Sequence, residues 1–371
     1  MTKMKRRQFT HTLAGLAGIG LTRKLAGAGS AEPSNGNEPP AGSIIDVPGI
    51  RVGHFTSPCR PTGCTVILFE NDATAGVDHD GSVPGSHQGV QLQLTRPAEK
   101  IHGMHLTGGG AFGLAAVSGV VRYLEGRKIG RADEIAGAWF WIVVGASIYD
   151  LRVGDSKIRP DPESAYEACQ VASSRPVEQG SVGAGAGATV GKMLEGFGGM
   201  KGGIGSASLR PGEVVIGALA VVHGMGDIID WHSGKIIAGA RRPDGKGFVN
   251  IAETLKKRLG GNRQSSIRIY DSLMQSANLV VVATNADFNK PNITKIATMG
   301  MTGAARVINP YHMTSHGDST FGLSTNRIKS DLPVSVVGAL AAEVVSEAIL
   351  NAIELAKSIE GWSAYCDYAA G

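Results

Sequence analysis

The chain has 371 residues, 42% of them hydrophobic, and its 53 glycines are about twice the ordinary ~7% share. The formal charge of +4 originates in residues 1–31, which carry Lys3, Lys5, Arg6, Arg7, Arg23 and Lys24 and no acid; without them 30 basic side chains face 32 acidic ones, a net −2. A chain with no basic stripe beyond that leader is not expected to bind nucleic acid, and this apolar content excludes a largely disordered protein.

Arg6-Arg7 precede Gln8-Phe9, an apolar run follows from Leu13 to Leu21, and small residues stand at Ala26-Gly27-Ala28. This pattern reads as a twin-arginine export signal over residues 1–31. The apolar run falls short of the ~20 residues that cross a bilayer, so no stable membrane span is expected. The reading makes the twin-arginine export machinery a partner and the periplasm or exterior the destination. Residues 32–42 read as a disordered leader, and 43–371 as a single domain, since no low-complexity linker divides them. The four cysteines, Cys59, Cys64, Cys169 and Cys366, show no C-x-x-C pair and no zinc spacing. A protein folded before export needs no disulfide; a bridge between Cys59 and Cys64 is the one short-loop option.

From residue 43, "SIIDVPGIRVGHF" gives a short strand and a turn. "TGCTVILFE" and "IHGMHLTGG" are apolar, β-branched strands. "GLAAVSGVVRYLEGR" carries Leu114, Val117, Val120, Val121 and Leu124 at helical spacing. "AWFWIVVGASIYD" reads as one strand, and "DPESAYEACQVASS" as a helix opened by Asp161-Pro162. "EVVIGALAVVHGMGDIID" and "LVVVATNA" are long apolar strands, with the surface segment "FVNIAETLKKRLGGN" between them. "KPNITKIATMGMTGAARVI" is a helix weakened by Gly300 and Gly303. "PVSVVGALAAEVVSEAILNAIELAKSI", started by "SDLP", is a long helix apolar on more than one side, which places it between layers. Strands in runs, with helices to cover both faces, indicate a layered α/β sandwich.

Two glycine-rich stretches call for a chemical reading. "LTGGGAFGLAA" holds Gly108-x-Gly110-x-x-Gly113 after a strand, as a dinucleotide fingerprint would. Its acid is misplaced: Asp133 and Glu134 precede the next strand and Asp150 lies too far on. "GSVGAGAGATVGKMLEGFGGMKGGIGSAS" has Ala186 and Met193 where a phosphate loop needs Gly and Ser or Thr. No cofactor is assigned. The stretch reads either as tight turns or a lid, or as bare backbone N–H groups brought to a reacting carbonyl.

Several segments fall together in one order: "TGCTVIL", "LTGGGAFGLAAVSGVVRYLE", "GSVGAGAGATVGK", "KGGIGSAS", "VIGALAVVHGMGD", "LVVVATNA" and "INPYHMTSHGDSTFGLST". In these the chain resembles the self-processing L-aminopeptidase/D-esterase (DmpA-type) peptidases, a family that includes β-peptidyl aminopeptidases and nylon-oligomer hydrolases. The likeness spans roughly residues 43 to 357. It implies a four-layer αββα sandwich of N-terminal-nucleophile type. It also implies self-cleavage before a Ser or Thr, attack on amides by that new N-terminal residue, and assembly into a homo-oligomer.

The resemblance carries over residue by residue. Tyr149 and Lys192 match positions that line the site and support the nucleophile. Asp318 matches the acid that orients the new amine, and His316 stands where relatives carry Ser or Asp. His223 stands where the family has an oxyanion-holding Asn. Gly108, Gly109, Gly110, Gly183 and Gly185 form the expected substrate and oxyanion loops. "GVDHDGSVPGSHQG" departs from the Arg- and Glu-bearing stretch usual there. The family nucleophile falls on Ala277, whose methyl cannot attack a carbonyl. Ser276 next to it has a hydroxyl, but a one-residue step turns a side chain to the other face unless a bulge restores it. His312 and His316 have H-x-x-x-H spacing in a Pro-led loop with no third ligand, so no metal is assigned. Two functional readings follow. One is an exported hydrolase of small peptides, amides or esters, cut near residue 276 and using Ser276. The other is an uncleaved, catalytically silent homologue that binds such molecules.

Overall fold

In the computed structural model, residues 42–79, 81–259, 276–329 and 331–369 are described, all within one compact unit. The twin-arginine stretch, residues 32–41 of the leader and the chain up to Gln275 on the far side of the expected cleavage bond lie outside these residues. Nine strands make the main sheet: β1 (Ile50–Thr56), β2 (Gly63–Asp78), β3 (Ser86–His87), β4 (Lys100–Thr107), β5 (Val143–Ser147), β6 (Gly203–Leu209), β7 (Ile216–Val222), β8 (Leu279–Ala286) and β9 (Ser319–Ile328). Their order is β6-β7-β8-β9-β2-β4-β5-β3, with β1 on β2.

The 16-residue β2 belongs to both halves of this sheet. Its first part, from Gly63 to Phe69, pairs with β1, and its last part, from Thr74 to Asp78, pairs with β9. The register against β4 shifts between Leu68 and Ala73, where the strand turns from one half to the other. Alternation then sorts the side chains. Ile67, Phe69, Ala75 and Val77 share one core with Leu219, Val221, Leu279, Val281, Phe321 and Leu323 of the other half. Cys64, Val66 and Leu68 point the opposite way, against α1 (Val117–Glu125) and α2 (Pro162–Val171). On the second half, Ala218, Ala220, Val280 and Val282 face α4 (Lys290–Val307) and α5 (Val334–Glu354), which follow a shorter α3 (Ile251–Leu259). Three cores separate four layers, helix, sheet, sheet and helix, as the resemblance implies. Each fully buried aliphatic side chain contributes about 1.5–3 kcal/mol to holding them together.

Local signals behave as their chemistry requires. Asp161 caps α2 by accepting the Ser164 N–H at 2.9 Å, with Pro162 in the first turn. Asn289 does the same for α4 at 3.0 Å to Asn292 N. Where pattern and structure part, context decides. "AWFWIVVGASIYD" breaks into a surface hairpin strand at 138–140 and the buried β5. "EVVIGALAVVHGMGDIID" breaks after Val222, and 227–229 joins a separate three-stranded sheet. The segment after Gly108 passes through a 3-10 turn, Gly110–Ala116, before α1 begins. The long helix α5 is long and apolar enough to cross a membrane by composition, yet most of it is buried. It does not lie between layers: it shares the outer layer with α4, and its second apolar side faces that helix.

The four cysteines are free, with Cys59 exposed and Cys64 turned into the α1/α2 core, so the Cys59–Cys64 bridge is not formed. Burial pushes the Cys64 thiol far above its ordinary range.

Gly300 and Gly303 do not weaken α4 in place; they let it approach its neighbours. A Cβ on Gly303 would stand 2.0 Å from the Ala342 carbonyl oxygen of α5. Gly303→Ala is therefore expected to lower stability by about 1–3 kcal/mol despite the better helix propensity of Ala. A urea midpoint unchanged or raised in this variant would show that the helices part without cost.

Candidate active site

The residues singled out in the sequence fall into two adjoining groups. Tyr149, Lys192 and His223 line a cavity of about 250 Å³ together with Arg152, Thr189, Leu194, Phe197, Gly199 and Trp362. Tyr149 and Arg152 follow β5, His223 follows β7, and Lys192 follows the short strand Thr189–Val190. Trp362 comes from the segment between α5 and the C-terminal helix Tyr365–Ala369. Lys192 Nζ lies 2.9 Å from His223 Nε2, and the Thr189 N–H donates to His223 Nδ1 at 3.0 Å. Burial, reinforced by the Arg152 guanidinium and opposed by Asp150, holds the Lys192 ammonium well below its usual range.

Ser276, Asp318 and His316 form the second group at the head of β8 and β9, all buried. Ser276 is 3% exposed, and its hydroxyl donates to the His223 carbonyl oxygen at 2.8 Å. The Ala277 N–H donates to the same oxygen at 3.0 Å, and the His223 N–H donates to Asn278 Oδ1 at 3.2 Å. One residue thus joins the groups, its ring in the cavity and its backbone holding 276–278. Ser276 itself does not line the cavity. The Ala277 methyl packs in the core between the sheets, in phase with Leu279 and Val281. Asp318 Oδ1 accepts from Asn278 N at 2.7 Å and Asn278 Nδ2 at 2.9 Å, while Oδ2 meets His316 Nδ1 at 3.3 Å. The pairing falls on the backbone two residues past Ser276.

None of the five glycines named from the sequence lines the cavity, and each of their N–H groups is engaged. Gly108 donates to Gly63 O, Gly109 to Asp150 Oδ1, Gly110 to Ile148 O, Gly183 to Thr56 Oγ1 and Gly185 to Val182 O, all at 2.8–2.9 Å. In this arrangement they hold loops and offer no donor to an oxyanion, nor to a pyrophosphate.

Asp150 explains why bare backbone is needed there. It is fully buried and accepts from Gly109 N at 2.8 Å, Arg60 Nη2 at 3.0 Å and Thr62 Oγ1 at 2.7 Å. A Cβ on Gly108 or Gly187 would stand 2.3 or 2.5 Å from its Oδ2. The acid is thus wrapped by both glycine-rich stretches, and it anchors the turn that carries Tyr149 and Arg152. Arg60 completes the knot through Nε to Val153 O at 2.5 Å, Nη1 to Ile158 O at 2.8 Å, and Nη2 to Asp150 O.

Comparison with known proteins gives this arrangement its relatives. Residues 42–365 match Peptidase family S58. The chain belongs to that family. An uncharacterized aminopeptidase of Mycobacterium leprae is 33% identical over 363 residues, covering 88% of this chain and 94% of that protein. A 6-aminohexanoate-oligomer endohydrolase of Kocuria sp. is 28% identical over 330 residues, 83% of this chain and 85% of that protein. The Burkholderia sp. beta-aminopeptidase structure has the same fold, with TM-score 0.63 and 21% identity over 90% of this chain and 95% of that one. So has the L-aminopeptidase D-Ala-esterase/amidase of Ochrobactrum anthropi, a variant of the Ntn-hydrolase fold, with TM-score 0.59 and 21% identity over 87% and 89%. The S58 peptidases are aminopeptidases and amide hydrolases, and this chain has their architecture.

Two buried charges near the S58 site give measurable expectations. Asp150→Ala leaves the Arg60 guanidinium, 3% exposed, without its counter-ion, so a loss of about 3–5 kcal/mol is expected in urea unfolding. Lys201 is fully buried, with Nζ donating to Gly185 O and Gly202 O at 2.8 Å, and burial pulls it down from 10.5 to about 7. Between those limits the unfolded chain binds more protons, so stability rises with pH from about 7 to about 10. Lys201→Met should flatten that rise; equal slopes in both proteins would show that Lys201 titrates normally.

Proposed function

We propose that this protein is an exported hydrolase of peptide, amide or amino-acid ester bonds that is cut before Ser276 and then uses that serine as its nucleophile. The observation that carries the reading is the bond from the Ser276 hydroxyl to the carbonyl of His223, whose ring lines the Lys192 and Tyr149 cavity. Cleavage makes Ser276 a chain terminus. Its hydroxyl then turns from that carbonyl to the cavity, and its own α-amine serves as the base. The Ser276 oxygen attacks the substrate carbonyl, the amide or ester bond breaks, the amine or alcohol leaves with the proton that the α-amine took from the hydroxyl, and water then hydrolyses the acyl-serine. Tyr149, His223 and Lys192 supply the polar groups around the reacting carbon. The relatives support peptides with a free N-terminal residue, as the name aminopeptidase implies, and 6-aminohexanoate oligomers as first substrates to test. The N-terminal twin-arginine pattern supports export of the folded chain, and the family likeness supports assembly into a homo-oligomer.

A second reading has its own support. Ser276 is buried with its hydroxyl already engaged, and the Ala277 methyl sits in the core between the sheets. Both suit a chain that stays whole and binds small peptides or amides without cleaving them. A denaturing gel of the purified mature protein separates the two. The hydrolase reading expects two fragments, the smaller beginning at Ser276, and expects Ser276→Ala to remain a single band. One intact band in the wild type sinks the cut form, and two bands in Ser276→Ala remove Ser276 from the chemistry.

A further inference from the structure

The two ring nitrogens of His223 fix the protonation state of its neighbour. The Thr189 N–H points at Nδ1, and an amide nitrogen only donates, so Nδ1 accepts and the ring proton sits on Nε2. Nε2 lies 2.9 Å from Lys192 Nζ and is therefore the donor in that pair. An ammonium carries three donors and no lone pair. For an ammonium to donate here, both ring nitrogens would have to accept, which describes an imidazolate. Lys192 therefore rests as a neutral amine. Its surroundings agree: burial and the nearby Arg152 disfavour the ammonium, and Asp150, the acid that opposes them, has its carboxylate engaged by Arg60, Thr62 and Gly109.

We propose that Lys192 is a nucleophile in its own right and captures small aldehydes or ketones as imines in this cavity. Its place suits the reaction. A Cβ on Gly199 would stand 3.2 Å from Lys192 Cγ and 2.8 Å from Trp362 Cζ3, so the lysine stem and the indole both lie close to this bare backbone. Leu194, Phe197 and Trp362 give the cavity apolar wall, and its volume of about 250 Å³ suits a molecule of a few heavy atoms. A rotation about the last side-chain bond releases the lone pair from His223. Nζ then attacks the carbonyl carbon, the C–N bond forms and the C=O π bond opens, and the oxygen takes up a proton. Loss of that oxygen as water leaves C=N, with both amine protons ending in the water. A neutral lysine in a desolvated pocket is the usual starting point for Schiff-base chemistry. The reaction requires no cut before Ser276, so it stands apart from the hydrolase reading.

The test uses the intact protein with propionaldehyde and sodium cyanoborohydride, which reduces an imine to a stable secondary amine. Peptide mass spectrometry then compares Lys192 with the exposed Lys357 in the same sample. Near neutral pH, Lys192 should be alkylated at least tenfold faster than Lys357, and its own rate should level off as pH rises. His223→Glu places a carboxylate opposite Nζ and restores the ammonium, so the rate should fall to that of Lys357. Equal rates for the two lysines in the wild type, or an unchanged Lys192 rate in a folded His223→Glu protein, would overturn the proposal. The wild-type pH profile decides the matter alone if that variant does not fold. The intact mass of the same sample records whether the chain is cut before Ser276, so the labelling of Lys192 is read separately from the hydrolase reading.

Discussion

The rest of the molecule depends on β2 being one strand shared by two sheet halves. Because the backbone is continuous through the turn between Leu68 and Ala73, the alternation of its side chains stays in phase across both halves. Odd-numbered residues meet the opposing half and even-numbered ones of its first part meet α1 and α2. The loops after β5 and after β7, one from each half, can then meet in a single cavity. A slip of one residue in β2 would exchange the two faces, so the site inherits its geometry from the pleat.

Beside that frame stands an exchange of roles between residues. Ala277, where the resemblance puts the nucleophile, is a methyl packed in the interior, and a histidine stands where the same resemblance implies an oxyanion-holding Asn. His223 connects the two changes, since its ring meets Lys192 while its carbonyl binds Ser276 and Ala277. The charge state of the cavity lysine and the placement of the Ser276 hydroxyl therefore answer to one residue.

Much of the fold was legible in the sequence because it rests on local rules. The strand at 63–69, the capped α2 and the periodic α1 follow from pleat, cap chemistry and helical spacing. The break inside "AWFWIVVGASIYD" was not legible, because exposed and buried strand are equally apolar there. The glycine-rich stretches were visible as patterns, but what they surround was not. A lone Asp at the end of an apolar strand was the only signal for Asp150, and its partners Arg60 and Thr62 lie some 90 residues earlier. Lys201 appeared as part of "KGGIGSAS", and nothing near it in the chain announces that its charge lies in the core. Pairings of this kind are set by topology, and a linear pattern carries no trace of them.

The wall of the cavity contains Trp362, and the strand Met200–Lys201 is tied to the same segment through Lys201 N to Ser363 O at 2.9 Å. Arg241 Nη1 adds a bond to Ser363 Oγ at 2.9 Å. The groups these contacts enclose are made much earlier in synthesis. The wall that shields Lys192 is thus contributed by a residue some 170 positions further along the chain, so the surroundings of the lysine depend on how the segment after α5 is tied down.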